Sequence, residues 1–244
     1  MNKLVKIGAA LIGMLVTNQA HAISITAYSS NFDGATTVAA GATANLTGAA
    51  IQSVQGYAGL GPSGNQFGGN FLSSFDASSQ ATLTLTNLPG HTSLDITSLL
   101  AIIDSWDSSN GSCCSPDLFE IRVDGVTIFS DTYAIALGSI HNTQGLTDIG
   151  AGNQQRGFTG WLDAAFNLEN ELQNVAHTAS SLTIDFLGTG GGWQGGTDEA
   201  WGIDNLLVTL NGVTPPVTGV PEPITLSLLG AGLLGLGAIR RRRD

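Results

Sequence analysis

Phe119-Glu120-Ile121-Arg122-Val123-Asp124-Gly125-Val126-Thr127-Ile128-Phe129 decides the fold class of this chain. Side chains alternate across an extended strand, so Phe119, Ile121 and Val123 fall on one face and Glu120 and Arg122 on the other. Asp124-Gly125 then supplies the two residues that a tight turn between paired strands requires. The segment predicts an antiparallel hairpin.

The same alternation recurs on both sides of it. Ala81-Thr82-Leu83-Thr84-Leu85-Thr86 reads as a strand closed by Leu88-Pro89-Gly90, Leu182-Thr183-Ile184-Asp185-Phe186 alternates again, and Trp201 to Leu210 forms the last strand. Leu162 to Val175 has two readings, a short helix or, from Leu162, Ala164, Phe166 and Leu168, a strand. Ile23 to Ser79, rich in Gly, Ala and Asn, reads as a looser edge region. Short strands, Gly/Asn/Asp turns and no sustained 3.6-residue period predict an all-β, jelly-roll-like β-sandwich. Neither an internal repeat nor a second domain is expected.

Only 11% of the 244 residues are charged, and the charges are unevenly placed. Between Ile23 and Gly219 stand two basic residues, Arg122 and Arg156, against seventeen acidic ones, a formal charge of −15. Without a basic patch to release counterions, binding to nucleic acid or anionic headgroups is excluded. A solvated acidic surface and a site for divalent cations or cationic partners both fit.

The ends carry the other basic residues. Lys3 and Lys6, an apolar run from Ile7 to Val16 and Ala20-His21-Ala22 read as a signal peptide over residues 1–22, removed by signal peptidase. The β-sandwich domain is expected over 23–210 and an extended Pro/Gly linker over 211–219. Then come Val220-Pro221-Glu222-Pro223, an uncharged stretch over 224–239, and Arg240-Arg241-Arg242-Arg243. As a transmembrane helix, 224–239 would span ~24 Å, short of the ~30 Å hydrocarbon core, with snorkelling arginines covering the difference. The arginines stay cytoplasmic and place the domain outside.

This order of motif, span and arginine cluster resembles the PEP-CTERM sorting tail of Gram-negative bacteria. The resemblance implies an exosortase partner, transient inner-membrane anchoring, and delivery to the outer surface or extracellular matrix of an exopolysaccharide-producing cell. The sorting nucleophile would belong to the exosortase. The rival reading is an ordinary C-terminal anchor.

Two loops hold the chemistry. Asp104 to Asp117 and Gly190 to Asn205 combine carboxylates, amides and glycines, the oxygen inventory that Ca²⁺ takes. The candidate ligands are Asp104, Asp107, Asp117, Asp198, Glu199 and Asp204. Asp204 shares parity with Leu206, Val208 and Leu210, which puts it on the core side, where it needs a cation or backbone donors. Asp-Ser-Trp-Asp at 104–107, the Phe119 to Gly125 hairpin strand and Trp-Gly-Ile-Asp-Asn at 201–205 are also similar to extracellular lectin-like jelly-roll modules. That likeness implies calcium and polysaccharide binding, with Trp106, Trp193 and Trp201 either stacking on sugar rings or anchoring the core. Cys113 and Cys114 are neighbours, with Cα atoms ~3.8 Å apart, below the usual disulfide span. A strained vicinal disulfide, free thiols, intermolecular pairing and metal binding all stay open.

No enzyme is expected. Nucleophile-elbow, zinc-protease and nucleotide-loop motifs are absent, and His91, His141 and His177 lack ligand spacing and read as structural or exposed. Asp104/Asp107 or Asp198/Glu199 could serve glycoside hydrolysis, which ranks third. The leading expectation is an exported surface or matrix protein that binds calcium and polysaccharide. The alternative is a purely structural matrix protein without a small ligand.

Overall fold

The computed structural model describes residues 21–107, 116–135, 141–150, 154–215, 228 and 230–233. Residues 1–20, Cys113, Cys114, Val220 to Pro223 and Arg240 to Arg243 lie outside them. The chain divides into two units, Ala22–Val213 and a second made of Met1–His21 and Thr214–Asp244. In the terminal unit, 228 and 230–233 are helical. Among the described residues no helix is long and apolar enough to cross a membrane.

The larger unit is built from strands β1 (Ile23–Ser30), β2 (Thr37–Val38), β3 (Thr43–Gly48), β4 (Ala50–Ser53), β5 (Asn70–Ser73), β6 (Gln80–Thr86) and β7 (Ser93–Asp104). They are followed by β8 (Asp117–Val123), β9 (Val126–Ala134), β10 (His141–Asn142), β11 (Ala164–Asn167), β12 (Leu172–Ala176), β13 (Ser181–Gly190) and β14 (Glu199–Val213). One sheet runs β11-β7-β14-β1-β2, with β12 also along β7 and β5 bridging β14 and β4. The other runs β10-β9-β8-β13-β6-β3. Val123 pairs with Val126 across Asp124 and Gly125, both left-handed at φ 50° and 79°, so the expected hairpin forms.

Both sheets contribute to one core. Leu83, Leu85, Ile121, Ile184 and Phe186 of the second sheet share a fully buried cluster with Leu94, Ile96, Val208 and Leu210 of the first. Burying each such side chain contributes about 1.5–3 kcal/mol. This is a β-sandwich arrangement.

The first sheet is covered on its outer face too. A 3₁₀ turn at Gln55–Tyr57, with Phe67 and Phe71, packs over Leu99, Ala101, Ile103, Ala165 and Ala200. Double burial explains why β7 ends in the unbroken apolar run Leu99 to Ile103. Gly202 makes room for this cover, because a Cβ there would lie 2.2 Å from the Phe71 ring.

One open reading is decided here, in favour of strands, and two sequence expectations change. Residues 164–167 and 172–176 are strands, lying along the edge of β7 that β14 leaves free. Ile23 to Ser79 is no loose edge region, since β1 sits between β14 and β2 inside its sheet. The last strand runs on to Val213, 5% exposed and paired with Ile23, so the expected linker begins later.

The third change concerns Asp204. A register shift between Asp204 and Leu207, with Asn205 at φ 50°, inserts a bulge into β14. Ile203 and Leu206 both reach the inner core with two residues between them, while Asp204 pairs with Leu99 of the outer cluster. The bulge reverses the parity, so Asp204 is buried on the opposite face from Leu206, Val208 and Leu210.

Candidate functional site

The ends of β7, β8, β13 and β14 meet at one end of the sandwich, Asp104 pairing with Glu199 and Asp117 with Gly190. Asp117 is fully buried and Glu199 is 1% exposed. Asp117 Oδ2 accepts the Asp107 amide at 2.7 Å, while Oδ1 has no partner. Glu199 Oε2 accepts the Gln194 amide at 2.6 Å. Asp198 accepts the Ser105 hydroxyl at 2.8 Å.

Burial pushes Asp117 up to about 6, with Asp107 and Asp198 repelling its charge and the Asp107 amide opposing the rise. Burial likewise pushes Glu199 up to about 7, and Asp117 and Asp198 add to it. Two carboxylates can only accept, so the contact between Asp117 and Glu199 becomes a hydrogen bond when one of them carries a proton.

The other two expected ligands sit elsewhere. Asp104, at φ 68°, accepts the Thr159 hydroxyl at 2.5 Å and the Thr159 and Trp161 amides at 3.3 Å, tying down that loop. Its own amide donates to Asp163, which also accepts the Arg156 amide. Burial raises Asp163 to about 6, with the Asp104 charge adding and Arg156 opposing. Asp204 accepts the Gly68 and Asn205 amides at 3.1 and 2.7 Å, and burial raises it to about 6 with help from Asp33. The six expected ligands therefore do not converge. Asp107, Asp117, Asp198 and Glu199 are neighbours, and no group of three or more His, Cys, Asp or Glu among the described residues is placed to hold a metal ion.

Trp106 and Trp201 are fully enclosed, and their indole N–H groups donate to the Ala200 and Ser79 carbonyls at 2.9 and 3.0 Å. Neither offers an open face. Trp193 is half-buried, lying over Gly188 and edge-on to Trp106 at 5.0 Å. Trp161, which sequence reading passed over, is 51% exposed. Its neighbours in sequence, Gly160 and Leu162, carry no signal for that placement.

Two further features lacked a sequence signal. His91 and His177, 86 positions apart, are buried side by side, with Nε2 of the first 2.7 Å from Nδ1 of the second. On the outer face, an open groove of about 550 Å³ is lined by Asn31, Asn65, Thr97, Glu169 and Asn205 among others. The Asn205 amide is held there by Asn65 and Gln66.

The fold and this acidic end define an antiparallel two-sheet β protein with buried carboxyl pairs. The PEP-CTERM protein-sorting motif is found at residues 219–243. The chain carries an exosortase sorting tail, which means export and membrane anchoring before processing. Among solved structures, the Agl-KA catalytic domain is similar at 14% identity over 86% of this chain and 32% of that one, with a TM-score of 0.32. A structure of infectious bursal disease virus, Gt strain, is similar at 14% identity over 87% and 37%, with a TM-score of 0.24. This chain spans about a third of either, and likeness at that level carries no functional argument. No curated protein matches it.

Proposed function

We propose that this chain is a non-catalytic component of the cell surface or extracellular matrix, a jelly-roll-like sandwich exported by its signal peptide and held by a transmembrane tail helix until exosortase releases it. The single observation that supports this is the sorting motif at 219–243, directly after a compact sandwich ending at Val213. Replacing Pro221, Glu222 and Pro223 by alanine should retain the protein in the inner membrane on cell fractionation. Unchanged surface delivery would contradict the reading.

Calcium at Asp107, Asp117, Asp198 and Glu199 is the ligand reading, supported by the partnerless buried oxygen of Asp117. Calcium binds ionised carboxylates, so it competes with protons there. Millimolar Ca²⁺ should raise the melting temperature at pH 8 and leave it unchanged at pH 5. No response at pH 8 leaves the purely structural matrix protein. Polysaccharide contact is supported by the hydroxyl- and amide-lined groove around Asn205 and by the exposed Trp161 indole, groups suited to sugar hydroxyls and ring faces. Affinity electrophoresis in exopolysaccharide gels checks it, with loss of retardation expected in Asn205→Ala or Trp161→Ala.

A further inference from the structure

His91 and His177 join three separate connections of the sandwich. His91 lies between β6 and β7, His177 between β12 and β13, and Asp124 in the β8–β9 turn. The two imidazoles stack at 5.0 Å and 17° and are 5% and 8% exposed, so water supplies few of their hydrogen bonds.

Counting hydrogens along the contact chain gives a definite answer. His91 Nδ1 lies 2.7 Å from the Pro89 carbonyl, which can only accept, so Nδ1 bears a hydrogen. His91 Nε2 and His177 Nδ1, 2.7 Å apart, need one hydrogen between them. His177 Nε2 faces the Ser181 carbonyl at 3.1 Å and the Asp124 carboxylate at 3.1 Å, both acceptors, so it bears a third. Two neutral imidazoles supply only two N–H groups. The geometry points to one excess proton shared by His91 and His177, an imidazolium–imidazole pair neutralised by Asp124, which acts as a proton-held latch between these three connections.

The groups facing the pair support this balance. Among the described residues, Asp124 is the one carboxylate with an oxygen within 4 Å of a ring nitrogen of either histidine. The other facing atoms are the Pro89 and Ser181 carbonyls. Asp95, further along β7, is engaged by the Asn174 amide and the Asn211 side chain. Asp124 is fixed from behind, its Oδ1 accepting the Thr183 amide at 2.9 Å and its own amide donating to the Thr183 carbonyl at 2.9 Å. The Leu88 amide donates to the Ser180 carbonyl at 2.9 Å, closing the same end. Release of the proton to water breaks no heavy-atom bond. It leaves two hydrogens for three contacts, so a bare lone pair faces an acceptor at one end of the chain, His91 Nδ1 against the Pro89 carbonyl or His177 Nε2 against Ser181 and Asp124, and the latch loses one of its contacts. The latch is therefore closed at acidic pH and opens as pH rises.

The test is ¹⁵N NMR of the full chain, histidine-labelled and in detergent, with His91→Gln and His177→Gln variants assigning the signals. Three of the four ring nitrogens of the pair should carry hydrogen at pH 5.5 and two at pH 9. Two at pH 5.5 would overturn the shared proton, and four would mean two independent imidazoliums. In Asp124→Asn the third proton should bind roughly tenfold more weakly, leaving about one pH unit lower. Release at an unchanged pH would overturn the role of Asp124.

Discussion

Asp117 and Glu199 begin β8 and β14, strands of opposite sheets, and their carboxyl groups meet in a buried end of the sandwich with Asp117 Oδ1 lacking a hydrogen-bond donor. A buried acceptor without a donor is costly unless a proton or cation reaches it. Much of what can be measured on this protein follows from that pair and its relatives Asp163 and Asp204.

All four groups are raised, to about 6 for Asp117, Asp163 and Asp204 and about 7 for Glu199. A raised carboxyl favours the folded state while protonated, so its contribution is complete below about pH 4 and lost as pH rises to about 7. The melting temperature should be several degrees higher at pH 5 than at pH 8, at roughly 2–4 °C per kcal/mol. Calorimetric melts without divalent cations check this, and the opposite order would exclude neutral buried carboxyls.

Glu199→Gln places an amide donor against the Asp117 carboxylate and removes one titrating group. Stability at pH 8 should rise by about 1 kcal/mol, with a shallower loss between pH 5 and 8. Any stabilisation by calcium should disappear in the same variant. Urea unfolding at the two pH values reads both effects.

Gly202→Ala should destabilise the protein by about 1–3 kcal/mol through overpacking, because its Cβ would press on the Phe71 ring. Phe71→Leu in the same background should recover part of that loss. Absence of recovery would show that the strain lies in β14 itself.

The tryptophans should separate cleanly. Trp201→Ala, emptying a fully buried site between Phe119 and Phe186, should cost about 3–5 kcal/mol. Trp161→Ala should change stability by less than about 0.5 kcal/mol. Chemical denaturation of both variants distinguishes core anchor from exposed side chain.

Local chemistry was legible wherever it depends on adjacent residues. The Asp124-Gly125 turn, the alternation of β6, β8 and β13, and the motif at 220–223 are short-range patterns that need no partner to be read. The acidic end was legible as an inventory of residues, and its separation into Asp117 with Glu199, Asp104 with Asp163, and Asp204 with Gly68 was not. Those pairings depend on which strand ends the two sheets bring together.

Asp204 shows the division most sharply. Its residue type and its place beside a strand follow from the sequence alone, as do the sorting tail, the acidic balance and the β class. Which face it occupies was decided by one extra residue in β14, because a bulge shifts the two-residue period and sends the carboxylate to the other side of the sheet. The meeting of His91 with His177 is of the same kind. Periodicity and motif spacing act along the chain, whereas a buried proton is placed by contacts between segments that only the packed sandwich brings within hydrogen-bonding distance.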